Sequence, residues 1–454
     1  MANEEGGRIS RWLVPIAAVV GPAAVMTAGI MGAGSTSSLV LAGAWFRYDL
    51  LWIAIVTLPA VVICLDSGAR VGILSGGKGM LSVIRDEIHP GVTWFVLVVM
   101  VLFNIFVNMG QMSVMTSSFM SIFGFYPPGP SAAAYYVRNY GIFEACLSVL
   151  FAGGILCLLL SGGYRRAQKI MTGLLFFMFC CFLIVAIRGF QEGKDILAGI
   201  IPRIPDDLPV PGTEKAREVY SSIVAIAGGA LAAAPILSFS YFTSDDRARV
   251  ADLPRYFWKS VLNLGVIFGV YSVLVLVAGG FALYPLENHA SIDKVHEAGR
   301  VLTRALPAGL SGLGPKVFAA GLFGCGLTTL VVVAQLMCYF CLDTVRRDWH
   351  YTPDNRNFRR LLVFWVAVPA ILAPFWRFPA LLKMILLMGL NIVIVPVAIV
   401  IIIYLINKRS LMGEGKANVW RNVFLVASLG LSLWLAASKA PGYAKAIIDA
   451  IANH

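Results

Sequence analysis

Charge is what this sequence has least of. Asp, Glu, Lys and Arg make up 13% of its 454 residues, about half the ~25% share of a soluble domain. Residues of the AVILMFWYC set reach 59%, and the mean hydropathy is +0.80. That balance excludes a soluble enzyme with an appended anchor and describes an integral membrane protein. Histidine is scarce too. His89, His289, His296, His350 and His454 are the whole set, and all fall in connections or at the terminus. A histidine proton relay inside the bilayer is therefore excluded, because proton-coupled carriers place titratable groups within their spans. The eight cysteines (Cys64, Cys146, Cys157, Cys180, Cys181, Cys325, Cys338 and Cys341) lie in or beside apolar stretches, with no paired spacing in a loop. They read as small hydrophobes rather than a disulfide framework or a metal site. No phosphate loop, metal-ligand spacing or nucleophile motif occurs, so the expectation is transport without ATP hydrolysis, not catalysis, and no cofactor.

What is present is apolar length. Eleven stretches, 13–42, 49–70, 92–124, 141–161, 168–188, 219–243, 258–284, 314–343, 359–376, 380–406 and 419–438, are long enough to span a bilayer, each needing about 20 residues. The fold class is an all-α membrane protein of eleven transmembrane helices. The first stretch is too long for a signal-peptide core and has no small-residue cleavage pattern, so it is expected to be retained. No connection is long enough to fold alone, and residues 1–454 read as one transporter domain. The net charge of +12 is spread over short loops, which argues for topology and against nucleic acid. Lys and Arg are denser on the side that holds the N-terminus and the clusters Tyr164–Lys169 and Arg346–Asp348. The positive-inside rule makes that side cytoplasmic, in a multi-pass protein of the cell (inner or plasma) membrane. The lipid bilayer is the expected partner, with no obligate protein partner.

Two stretches are unlike the rest. The first carries Gly29, Gly32 and Gly34 with Ser35-Thr36-Ser37-Ser38, and the sixth carries Gly228-Gly229-Ala230-Leu231-Ala232-Ala233-Ala234-Pro235. Both are expected to break there. They open two successive five-span units, about 13–190 and 219–406, with an extra helix at 419–438. Paired interrupted helices at matching positions are the sequence sign of an inverted-repeat transporter. The alternative is that the small residues only let helices approach closely. A broken helix frees carbonyls and amides at mid-membrane, where protein or water must satisfy them, and something polar is expected to visit that point.

Polar residues inside the spans are few. Asn104, Asn108 and Gln111 share one face of the third span by helical spacing, and serve either a cavity or interhelical hydrogen bonds. Thr328, Thr329, Gln335 and Asn391 are further candidates to line a pathway. Asp66, close to Arg70 by spacing, reads as a structural pair. Glu144 lies near the start of the fourth span and Asp343 at the end of the eighth. Asp245-Asp246 suits either an inner vestibule or, with Arg247 and Arg249 beside it, a solvated loop.

The run Gly21-Pro22, Ile30-Met31-Gly32-Ala33-Gly34-Ser35, Ala42-Gly43-Ala44, Leu50-Leu51-Trp52 and Ala69-Arg70-Val71-Gly72 resembles the NRAMP family of divalent-metal transporters. The similarity continues more loosely through the Pro-bearing sixth span and Gly326-Leu327-Thr328-Thr329. It implies eleven or twelve helices in the inverted-repeat arrangement. The family's Asp-Pro-Gly-Asn falls on Gly32-Ala33-Gly34-Ser35, its Met-Pro-His on Ala234-Pro235-Ile236, and its proton-pathway Asp and Glu on Asn108 and Gln111. Each titratable or soft group of that machinery is thus replaced.

The replacements run in one chemical direction. Losing the thioether at Ala234 removes a preference for softer metals. Losing larger side chains at Gly32 and Ser35 widens the site, which suits Mg²⁺, an ion that sheds water reluctantly. The resemblance is closest to the NRAMP-related magnesium-transporter branch. It implies Mg²⁺, and Mn²⁺, carried largely hydrated by alternating access, driven by the membrane potential without proton coupling. The substrate is expected at Gly32, Ala33, Gly34, Ser35, Thr36, Leu231, Ala234 and Pro235, with Asn104, Asn108, Gln111, Thr328 and Asn391 along the pathway. No side-chain ligand set is expected, the hydrated ion resting at Gly32, Ser35, Leu231 and Ala234. Two alternatives stay open: a carrier of a small organic solute such as an amino acid or carboxylate, held by half-helix amides, and a non-transporting sensor on the same scaffold.

Overall fold

The computed structural model describes residues 26–27, 29–126, 134–161, 164–213, 216–352 and 355–452. Among them ten helices are long and apolar enough to cross a bilayer. These are the second span (Leu51–Leu74), third (Pro90–Ile122), fourth (Val137–Leu160), fifth (Phe176–Ala198), sixth (Val219–Asp245), seventh (Val250–Ala282), eighth (Gly309–Thr344), ninth (Arg356–Phe375), tenth (Ala380–Asn407) and eleventh (Val419–Lys439). The first span contributes Ala33–Phe46 and a helical piece before it. Its expected stretch from 13 to 25, with Gly21 and Pro22, lies outside the described residues. A short antiparallel ribbon, Leu208–Pro209 with Ala216–Arg217, sits in the connection between the fifth and sixth spans.

Both expected interruptions are found. Met26, Thr27, Gly29 and Ile30 are helical, Met31 and Gly32 are not, and the helix resumes at Ala33 from an extended Gly32 (φ −77°, ψ −176°). The sixth span stops at Ala230, passes through extended Leu231 (φ −99°, ψ 87°) and Ala232 (φ −104°, ψ 136°), and resumes at Ala233. Pro235 occupies the first turn of the second half, where backbone N–H groups lack intrahelical partners anyway.

The packing follows the two-unit plan. The first span packs on the seventh as the sixth packs on the second, and the third lies on the tenth as the eighth lies on the fifth, with the third against the eighth at the centre. Adding five to the helix numbers carries each of these contacts into its counterpart, as two related five-helix units require. Close approach of small residues also occurs, both at the breaks, where a Cβ on Gly228 would lie 2.0 Å from the Met388 carbonyl, and away from them. A Cβ on Gly43 would lie 2.4 Å from the Leu276 carbonyl, and one on Gly279 2.6 Å from that of Val40. Both roles offered for the small residues are therefore used.

The charged residues near span ends are structural. Asp66, 1% exposed, pairs with Arg70 at 3.3 Å, as its spacing suggests, and with Arg421 of the eleventh span at 2.6 Å. Asp343 accepts hydrogen bonds from the Tyr241 hydroxyl at 2.6 Å, the Ser82 amide at 3.0 Å and the Ser82 hydroxyl. This latch ties the sixth and eighth spans to the helix Met80–Glu87 on the Arg346 side. Asp245 and Asp246 are exposed and accept from Tyr339 and Tyr256, in keeping with the loop reading.

Candidate functional site

The two interruptions face each other across a chamber of about 60 Å³. From the first span it is walled by Gly29, Ile30, Gly32, Gly34 and Ser35, and from the sixth by Gly229, Ala232, Ala234 and Pro235. The third span adds Phe103, Asn104, Val107 and Gln111, the eighth Thr329, and the tenth Met388 and Asn391. No Asp, Glu, His, Lys or Arg is among these walls. Among the described residues no group of three His, Cys, Asp or Glu side chains is placed to hold a metal.

The backbone groups freed by the breaks find side-chain partners, as a membrane interior demands. Ser35 Oγ donates to the Ile30 carbonyl, Thr36 Oγ1 to that of Gly32 at 2.8 Å, and Thr329 Oγ1 to that of Gly29 at 3.1 Å. Asn391 bridges the sixth span's break, its Nδ2 donating to the Gly228 carbonyl at 2.7 Å and its Oδ1 accepting from the Ala233 amide at 3.5 Å. Gln111 differs. It is fully buried, and neither Oε1 nor Nε2 has a partner. An unpaired buried amide costs about 1–3 kcal/mol, a cost that a polar visitor to the chamber relieves. The C-terminal end of Val219–Ala230 adds about half a negative charge at the same point.

Eight of the expected residues wall the chamber: Gly32, Gly34, Ser35, Ala234, Pro235, Asn104, Gln111 and Asn391. Five do not. Ala33 and Leu231 are buried in helix packing, and Ala232 takes the place expected for Leu231. Thr36 turns to the Tyr271 hydroxyl at 2.6 Å. Thr328 donates to the Gly324 carbonyl of its own helix, and Thr329 reaches the chamber instead. Asn108 stands about 40° around the helix from Asn104. There its Nδ2 donates to the Trp365 carbonyl of the ninth span at 3.1 Å. A one-residue choice on a helix rotates a side chain by about 100°, which spacing alone does not resolve.

Part of the width expected from the small residues is taken up by packing. Side chains from other helices occupy the space the small residues vacate. A Cβ on Gly32 would lie 1.8 Å from Thr329 Oγ1, and one on Gly34 2.7 Å from Met388 Sδ. Met388 is a site residue the sequence reading missed, hidden in an unbroken apolar run; of the candidate pair Thr328 and Thr329, it is Thr329 that lines the chamber.

A separate cavity of about 990 Å³ lies between the third and fourth spans, the ninth-to-tenth connection and residues 293–296. Arg138, Lys294, Arg377 and Lys383 line it, against Glu144 and Asp293. Asp293 is already paired with Arg217 at 3.2 Å. Lys383, 2% exposed, donates to Ser113 Oγ at 2.8 Å and stands over Trp376. Burial pushes the Asp293 carboxyl up and holds the His296 imidazole below its usual value. This excess of positive charge disfavours cations, so the chamber at the breaks is the candidate site.

Comparisons with known proteins bear on the family and the fold. A model of the Nramp family, natural resistance-associated macrophage protein-like, matches residues 23–439. A protein described as the divalent metal cation transporter MntH of Acidiphilium cryptum is 25% identical over 345 residues, covering 73% of this chain and 70% of that one. The manganese transporter of Eremococcus coleocola, solved with an aromatic bis-isothiourea substituted compound, superposes with a TM-score of 0.68 at 17% identity, covering 92% of this chain and 85% of that one. MhsT in complex with L-phenylalanine gives a TM-score of 0.54 at 14% identity over 90% of this chain and 98% of that one. These likenesses establish the shared fold.

Proposed function

Because this chain belongs to the Nramp family of divalent-metal transporters, we propose that its cargo is Mg²⁺, with Mn²⁺ also accepted, moved by alternating access without proton coupling. The observation that carries this reading is a mid-membrane chamber walled by neutral groups alone, into which the unpartnered Gln111 amide opens. A site without carboxylate or imidazole offers an ion oxygen dipoles and one neutral thioether, Met388, and the oxygen dipoles suit hard cations that keep part of their water. It also offers no group to carry a proton across with the ion. The membrane potential then suffices as the driving force, about 4.6 kcal/mol for a doubly charged ion at 100 mV. In this reading the protein sits in the cell membrane with its N-terminus cytoplasmic, and the two repeats comprise about 13–190 and 219–406.

The test is flux into proteoliposomes holding a Mg²⁺-sensitive dye and, in parallel, a pH dye. Ion entry should follow an imposed voltage, Ca²⁺ should be a poor substrate, and the pH signal should stay flat. Proton movement in step with the ion would remove the uncoupled mechanism. Movement of an amino acid or carboxylate with no divalent-ion entry would replace the function altogether.

A further inference from the structure

The loss of a soft group from the sixth span at Ala234 is not a loss from the chamber. Met388 of the tenth span walls it directly, 9% exposed, with Asn391 one turn further along the same helix face. Its sulfur rests on the first span where that helix has no side chain, since a Cβ on Gly34 would lie 2.7 Å from Sδ and 2.9 Å from Cε. A Cβ on Gly229 would lie 3.7 Å from Met388 Cγ and 3.4 Å from Ser35 Cβ. The thioether is thus held between the two broken helices, at the level of both breaks. The neighbouring polar group without a partner is Gln111, whose amide opens into the same 60 Å³. One soft donor and one hard donor therefore wall the same chamber.

We propose that Met388 and Gln111 are the selectivity pair of this site: the Met388 thioether admits softer divalent cations, Mn²⁺ and Cd²⁺, and the Gln111 amide oxygen serves Mg²⁺ and the softer ions alike. This inference rests on the reading that the chamber carries a divalent cation. A thioether is a neutral, polarisable ligand that favours softer metals and contributes little to Mg²⁺. An amide oxygen is a hard donor that does not discriminate by softness. The glycines of the first span have a second use here, because only a residue without a Cβ leaves Met388 its place at position 34.

The test uses the full chain in proteoliposomes, with the Mg²⁺-sensitive dye and with Cd²⁺ and Mn²⁺ as competitors, beside calorimetric titration of Cd²⁺ and Mg²⁺ in detergent. Met388→Leu conserves volume and removes the sulfur. Cd²⁺ and Mn²⁺ should then compete about tenfold less well relative to Mg²⁺, whatever the absolute rate of Mg²⁺ entry. Gln111→Leu should weaken all three ions together. Should Met388→Leu fold poorly, Met388→Ile provides the second apolar variant, and titration reads binding without requiring transport. An unchanged Cd²⁺-to-Mg²⁺ ratio in the leucine variant overturns the proposal. A wild-type chain that moves and binds no divalent cation fails the cation reading first, and this inference falls with it.

Discussion

Replacing Gly32 by Ala adds a single methyl group, at the point where the first span touches the eighth. The new Cβ would lie 1.8 Å from Thr329 Oγ1, 3.0 Å from Thr329 Cβ and 3.1 Å from the Gly29 carbonyl. Thr329 must therefore turn away, and its hydrogen bond to the Gly29 carbonyl, now 3.1 Å, is lost. A carbonyl stranded at the break costs about 1–3 kcal/mol, and forcing a methyl into a packed site costs a similar amount. If half of this falls on the conformation seen here, its population drops by roughly 5- to 150-fold, the equivalent of 1–3 kcal/mol. Voltage-driven Mg²⁺ entry into proteoliposomes should fall by at least fivefold, with the chain still eluting as a folded species. Thr329→Ala removes the clashing oxygen, so the double variant should recover part of the flux, giving a coupling energy of about 1 kcal/mol or more in a double-mutant cycle. Full flux for Gly32→Ala, or strictly additive effects of the two changes, would refute the assignment of this contact to the transport site.

Asn391→Ala should abolish transport more than it lowers stability. It removes the bridge from the Gly228 carbonyl to the Ala233 amide at the chamber wall; flux and unfolding in detergent, measured side by side, check the split. Arg421→Ala leaves Asp66, 1% exposed, with only Arg70 at 3.3 Å. The loss is expected to be about 3–5 kcal/mol, because a buried charge loses its nearer partner, and the midpoint of thermal unfolding reports it. His296 gives the pH prediction. Burial depresses its value against the pull of Glu297, so below about pH 6.5 the unfolded chain binds more protons than the folded one. Stability should fall as pH drops through that value and level off below the folded value. His296→Gln should flatten the curve, and parallel curves would disprove the assignment. Mg²⁺ flux itself should stay constant over the same window, as no titratable group walls the chamber.

Much of this protein was legible in its residues. A bilayer leaves a chain few options, so apolar length fixed the number and order of the spans. Glycine, alanine and proline clusters marked both interruptions, at Met31–Gly32 and Leu231–Ala232. Those are properties of local sequence, since backbone satisfaction within a helix depends on the residues of that helix. The neutral character of the two interruptions was equally plain, because no titratable residue stands in the Gly32–Ser35 or Gly228–Pro235 stretches. What only the tertiary structure decided is which neighbour fills a gap. Gly32 and Gly34 predicted space, but Thr329 and Met388, hundreds of residues away in the chain, enter it. Thr329 rather than Thr328, Ala232 rather than Leu231, and Gln111 rather than Asn108 face the chamber. Each choice is set by helix rotation and packing between distant segments. The size of the chamber and the return of a thioether to it follow from that packing, which composition and spacing do not encode.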